Sequence, residues 1–289
     1  MRDQFEIAGG SVAGRDHVAA GRNNQDAFAW HQDDRCTIAV VADGCSEGPH
    51  SEVGAQLGVK TLVRALACVP SEEMTAATQP SSIGGRWPFL NRAHDAVLEA
   101  VHAAAVAMSD NLDRSRSRAE IIREYFLFTV VGVIITAEQT FIFSIGDGCY
   151  AVNSSVQRLG PFPNNAPPYI GYGLIAPTVT ANVVFASFMN FQAERRLTTE
   201  VDSLLLGTDG VDDLIAVADR KLPGKDEPVG PLAQFWADDR FFRNPDMVRR
   251  RLTLINRESV RAEHGGLVRE SGLLRDDTTL ITIRRRKEG

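Results

Sequence analysis

Cysteine is scarce in this chain: Cys36, Cys45, Cys68 and Cys149 are the four among 289 residues. They show neither C-x-x-C spacing nor the density of a disulfide scaffold, so reduced thiols are expected. Long apolar runs are missing too. No segment approaches the uninterrupted length of a transmembrane helix, and the start Met1-Arg2-Asp3-Gln4-Phe5 lacks the apolar stretch of a secretory signal. A cytoplasmic protein with no membrane partner is the expectation. Positive charge is not in excess: 31 Lys and Arg stand against 37 Asp and Glu, a net charge of -6. That balance argues against a general nucleic-acid binder, which carries a basic field. The basic tail Arg284-Arg285-Arg286-Lys287 reads as a solvated terminus.

What is present is the composition of a globular protein, 44% hydrophobic and 24% charged. One domain over 1–289 accommodates it. Alternating residues in 5–18 suggest an edge strand, and 37–43 a β-branched strand that ends on an aspartate. Val53, Leu57, Thr61 and Leu62 recur at helical spacing in 52–66. Helical patterns return at 91–108, 119–124, 211–218 and 246–258, and 126–136 with 140–145 read as a hairpin. Further strands are expected from about 150 and over 179–188 and 203–208. Ser, Thr, Pro and Gly dominate 69–88, which reads as a surface insertion. The proline-rich stretches 160–177 and 219–231 read as a loop and a mobile flap.

Four acidic motifs organise the chain: Asn24-Gln25-Asp26, Ala42-Asp43-Gly44, Thr208-Asp209-Gly210 and Asp276-Asp277-Thr278. Three of them abut buried-strand patterns, Ile38-Ala39-Val40-Val41-Ala42, Ser203-Leu204-Leu205-Leu206-Gly207 and Thr279-Leu280-Ile281-Thr282-Ile283. Strand ends hold carboxylates rigidly, and hard oxygen ligands suit Mg2+ or Mn2+. A single Asp-Gly pair is a common turn; the ordered set is the signal.

Together with Ile145-Gly146-Asp147-Gly148, these motifs resemble in order those of the metal-dependent type 2C protein phosphatases, the PPM family, and their bacterial branch in particular. The resemblance spans about 5–283. It implies an α+β fold, a four-layer α-β-β-α sandwich of two packed, mainly antiparallel sheets with a metal site at one end. It also implies hydrolysis of phosphoserine and phosphothreonine on proteins by a metal-activated water, with two divalent cations, Mn2+ or Mg2+, as cofactors. The partner would be a phosphorylated protein, the product of a Ser/Thr kinase.

Carried over residue by residue, Asp43 bridges both metals and the Gly44 carbonyl is a further ligand. Asp209 and Asp276 complete one shell, Asp26 reaches the other side, and Asp147 matches the holder of a weak third metal. Arg22 is the nearest candidate for the phosphate-binding arginine, one residue closer to Asp26 than the family's spacing, with Arg15 as fallback. The chain departs from the family at neutral Gln25, where an acid is usual, at Cys45, where His or Met is frequent, and at Cys149, where the family has Arg. His50 is then the candidate general acid. These softened positions keep open a catalytically weak phosphoprotein-binding regulator of the same fold, and the shared metal chemistry keeps open a small-molecule phosphoesterase.

Overall fold

The computed structural model describes residues 1–76, 87–111, 115–175, 190–263 and 266–287. In chain order, leaving aside the one-turn helices Tyr172–Ile175, Gln234–Ala237 and Arg240–Arg243 and two short 3-10 turns, the elements are β1 (Phe5–Val12), α1 (Arg15–Ala19), β2 (Ala27–Gln32), β3 (Cys36–Gly44), α2 (Glu52–Ala67), α3 (Ser71–Ala76), α4 (Pro88–Asn111), α5 (Arg118–Tyr125), β4 (Phe128–Thr136), β5 (Gln139–Ile145), β6 (Gly148–Val152), β7 (Ser155–Leu159), β8 (Gln192–Leu197), β9 (Ser203–Gly207), α6 (Val211–Ala216), α7 (Met247–Ile255), β10 (Ser259–Glu263), β11 (Gly266–Glu270) and β12 (Thr278–Arg285). One sheet runs β1-β12-β9-β6-β7 and the other β2-β3-β4-β5-β8, each five-stranded, with β10-β11 a separate hairpin. Every neighbouring pair is antiparallel.

The side-chain period of two explains how these sheets stack. On β3, Ile38, Val40 and Ala42 pack with Leu62 and Leu66 of α2 and Val97 and Val101 of α4. Ala39 and Val41, from the other face, meet Leu204 and Leu206 of β9 and Ile281 and Ile283 of β12. The outer face of the second sheet, through Ala151, Leu205 and Leu280, is covered by Val211 and Leu214 of α6 and Val248, Leu252 and Ile255 of α7. The result is four layers, helix, sheet, sheet, helix, with three apolar seams. Both central strands are buried on two faces, which is why they read as continuous apolar runs rather than as alternation.

Local chemistry places the helices. A Cβ on Gly58 would collide with the Phe128 ring, so the glycine lets α2 lie close against β4. Ser117 accepts from the Glu120 N–H while the Glu120 side chain accepts from the Ser117 N–H, a capping box at the start of α5 that contributes about 1 kcal/mol. No helix among the described residues is long and apolar enough to cross a membrane.

Several expectations are refined. The segment Gly146-Asp147-Gly148 carries the chain from β5 in one sheet to β6 in the other, and Gly146 and Gly148 take positive φ to do so. Val69, Met74 and Trp87, within 69–88, are buried in the helix-side core. Residues 219–231 are tied down, with Leu222 and Val229 buried and Arg251 of α7 donating to the carbonyls of Pro228 and Val229. The strand expected over 179–188 lies outside the described residues.

Candidate active site

The strand period that builds the seam between the sheets also aims the acidic groups at its end. Asp43 continues the inward face of Ala39 and Val41 and stands opposite Thr129 of β4. Thr208 continues the inward face of Leu204 and Leu206, with Asp209 one residue beyond. From the other direction, Asp277 and Thr279 share the parity of Ile281. Asp26 precedes β2 and Asp147 lies on the crossing between sheets.

A hydrogen-bond frame holds these residues. Thr208 Oγ1 donates to Asp26 Oδ2 at 2.8 Å. Buried Asp277 accepts from Gly14 N at 2.7 Å and Gln25 N at 2.6 Å, and its Oδ2 lies 2.8 Å from His17 Nδ1. It thus ties the first motif, α1 and the last motif together. Asp213 of α6 accepts from Arg275 N at 2.7 Å and orients the same turn. Glycine is required on both sides: a Cβ on Gly14 would overlap the Asp276 backbone, and one on Gly210 the Asp277 carbonyl oxygen. Asp276 Oδ1 faces His17 Nε2 at 3.7 Å.

Charge is left uncompensated inside this frame. Burial, then the neighbouring Asp277, holds the Asp26 carboxyl well above the ordinary aspartate range. Burial followed by Asp26, Asp209, Asp147 and Asp276 does the same to Asp43. Asp209 is pushed up to about 7 by burial and then by Asp276 and Asp147. Asp147 and Asp276 are raised as well, chiefly by burial. Asp26 Oδ1 and Asp147 Oδ1 are buried without a hydrogen-bond partner. Orphaned carboxylate oxygens that repel one another fit a hard divalent cation, and Asp26, Asp43, Asp147, Asp209, Asp276 and the Gly44 carbonyl could hold one or more.

A cleft of about 580 Å3 opens over the carboxylates. His17, Asp43, Gly44, Asp147, Asp209 and Asp276 line it on one side, and Arg123, Tyr169 and Tyr172 contribute to its wall. Among known proteins, the sequence pattern of the family described as Protein phosphatase 2C matches residues 13–246. The chain belongs to the protein phosphatase 2C family. No curated protein matches it in sequence. Solved structures share its fold. A bacterial serine phosphatase is 12% identical with a TM-score of 0.57, covering 99% of both chains. Serine/threonine phosphatase Stp1 from Staphylococcus aureus is 12% identical with a TM-score of 0.56, covering 99% of this chain and 96% of Stp1. The catalytic domain of the serine threonine protein phosphatase PstP, solved with two manganese ions, is 13% identical with a TM-score of 0.50, covering 98% and 99%.

Against the phosphatase 2C pattern, the structure sorts the expected residues. Asp43, Gly44, Asp147, Asp209 and Asp276 share the cleft, and Asp26 lies buried behind them. Arg22 is exposed at the rim, where its guanidinium donates to the Ser46 carbonyl. Arg15 turns away, donating to the Gly272 carbonyl at 3.0 Å. His50 stacks on Tyr125 with ring centroids 4.9 Å apart and is not among the lining residues. Gln25 sends its side-chain amide to the Gly48 carbonyl at 2.6 Å, bracing the loop after Gly44. Cys45 lines the cleft, whereas Cys149 is buried in the outer apolar seam, its thiol pushed up to about 12 by burial.

Three residues in the site had no reading of their own in the sequence. His17 sits on a helix of five residues, too short for a periodic signal. Asp277 was visible only as the second letter of a motif. Arg123 is an ordinary charged position of α5, and only the packing of α5 beside the loop after Gly44 brings it to the cleft.

Proposed function

We propose that this chain is a metal-dependent phosphatase of phosphoserine and phosphothreonine in proteins, working with two divalent cations, Mn2+ or Mg2+. The observation that carries this reading is the convergence of Asp26, Asp43, Asp147, Asp209 and Asp276, raised by burial and mutual repulsion, beneath an open cleft. The manganese pair in PstP, which has the same fold, supports the cation count. Asp43, the Gly44 carbonyl, Asp209 and Asp276 would hold the pair, with Asp26 behind and Asp147 available to a weaker third. Such cations acidify water into a nucleophile and neutralise phosphoryl charge. The substrate would be the product of a Ser/Thr kinase.

The chain's own groups do the rest. Arg123 is the guanidinium that lines the cleft, and its planar fork suits two phosphoryl oxygens. Asp277 fixes the His17 ring through Nδ1, so a proton carried at Nε2 faces the cleft, where the departing serine or threonine oxygen would take it. Neither Gln25 nor Cys149 speaks for a disabled regulator. The first braces a loop, and the second is core.

Asp43→Asn should lower Mn2+-dependent hydrolysis of a phosphothreonine peptide by at least about a hundredfold with the fold intact by circular dichroism; near-normal turnover contradicts the metal assignment. His17→Gln should cut kcat about a hundredfold on a phosphoserine peptide but only a few-fold on p-nitrophenyl phosphate, whose leaving group departs without a proton. Equal losses on both substrates remove the proton role. Arg123→Ala should lower kcat/KM roughly ten- to a hundredfold, with Arg22→Ala and Arg15→Ala each costing less than about threefold. A large loss only in Arg22→Ala returns the phosphate contact to Arg22.

A further inference from the structure

A second cavity, of about 820 Å3, lies on the far side of α1 from the carboxylates. Arg15, Arg220, Lys221, Lys225 and Arg261 line it against the acidic residues Asp226 and Glu270 alone. That excess is notable in a chain of net charge -6. Part of it is internally paired: Lys221 with Asp226 at 2.5 Å, and Arg261 with Glu270 at 2.7 Å. Arg15 is held by Asp16 at 3.2 Å and the Gly272 carbonyl at 3.0 Å. Arg220 and Lys225 are exposed and form no ion pair with any of the described residues. Both line the cavity, and although the Lys225 charge is felt by Glu227, neither is held in an ion pair.

The cavity is preformed. Its floor is the turn Leu222-Pro223-Gly224, closed by the Leu222 N–H donating to the Glu227 carbonyl at 2.8 Å. Gly224 has φ of +71°, its N–H donates to Glu270 of β11 at 2.7 Å, and a Cβ there would strike Ser259 of β10. Leu222 and Val229 anchor the segment in the core. Binding would therefore order the Arg220 and Lys225 side chains but not the backbone that carries them.

We propose that this cavity is a docking site for an acidic segment of the protein substrate, close in sequence to its phosphorylated residue. The inference rests on the phosphatase reading above. Its geometric support is α1, which has Arg15 on the cavity and His17, two residues on, in the catalytic cleft. An extended chain rises about 3.3 Å per residue, so crossing a helix roughly 10 Å wide takes about three to five residues. Acidic side chains at that spacing from the phosphorylated residue would reach Arg220 and Lys225. A long polyanion such as nucleic acid is disfavoured, because the hollow that shares His17, Asp209 and Asp276 with the cleft adds Asp16, Asp212 and Asp213 against Arg275 and is acidic on balance.

The test is the double variant Arg220→Glu/Lys225→Glu. With Mn2+, its KM for a phosphothreonine peptide carrying glutamates three to five residues away should rise about tenfold, with kcat and hydrolysis of p-nitrophenyl phosphate within about twofold of wild type. Added salt should weaken the wild-type preference for that peptide over a neutral one. A separate arm measures anisotropy of a fluorescein-labelled hexaglutamate without phosphate, which wild type should bind and the variant should not. An inactive wild type that still binds hexaglutamate would sink the phosphatase reading and leave the anion-binding site standing. Equal KM values for acidic and neutral peptides in both proteins, absence of hexaglutamate binding, or tighter binding of a single-stranded oligonucleotide that the variant loses would overturn the docking site.

Discussion

Mutual repulsion among carboxylates, brought together at one end of a two-sheet seam, is the constraint on which the rest of this structure depends. In water such groups would separate. Here the sheets forbid it, since Asp43 is fixed by the register of β3 on β4, and Asp209 and Asp276 lie two residues beyond the ends of the paired strands β9 and β12. The apolar seams on either side supply the cohesion that offsets the repulsion. Stability and function are thus in opposition at this end of the molecule, as is common where a site is built to bind charge.

A frame of uncharged donors and close backbone packing keeps the carboxylates from collapsing onto neighbouring groups. Thr208 satisfies one oxygen of Asp26 and leaves the other orphaned. Asp277 gathers three donors, and Gly14 and Gly210 let its turn sit without a side chain on either flank. Asp277 differs from its neighbour in role because its oxygens face inward to N–H groups, whereas Asp276 is half-exposed to the cleft. Adjacent letters of one motif therefore divide between scaffold and site.

Much of this was legible in the sequence. The four layers were implied by the family that the ordered motifs resemble, and those motifs located five carboxylates that the fold brings together at one end of the sheets. What escaped has physical reasons. α1 is too short for periodicity, so His17 could not be read as facing anything. Arg123 reaches the cleft only through long-range packing of α5, which local pattern does not encode. That Gly146-Asp147-Gly148 crosses between sheets was not legible, because glycine and aspartate favour turns whether or not the flanking strands share a sheet. The segment 219–231 looked mobile from its polar, proline-containing composition, yet two buried side chains and an arginine from α7 fix it.

Folding resists ionisation of the clustered carboxyls Asp26, Asp43 and Asp209. An acid raised on folding contributes its full stability below its unfolded pKa and loses it as pH climbs through the folded value. For Asp209 that window runs from 3.8 to about 7, and Asp26 and Asp43 shift in the same direction. Carboxylates lowered on folding, such as Asp33 and Asp246, act at more acid pH and contribute no slope above about pH 5. The direct measurement is the unfolding temperature between pH 5 and 8, with chelator and with saturating Mn2+. The chelated protein should lose stability as pH rises, and the gain from Mn2+ should be larger at pH 8 than at pH 5. A chelated protein whose unfolding temperature is flat or rising over that range, with a Mn2+ shift that does not grow with pH, would contradict it.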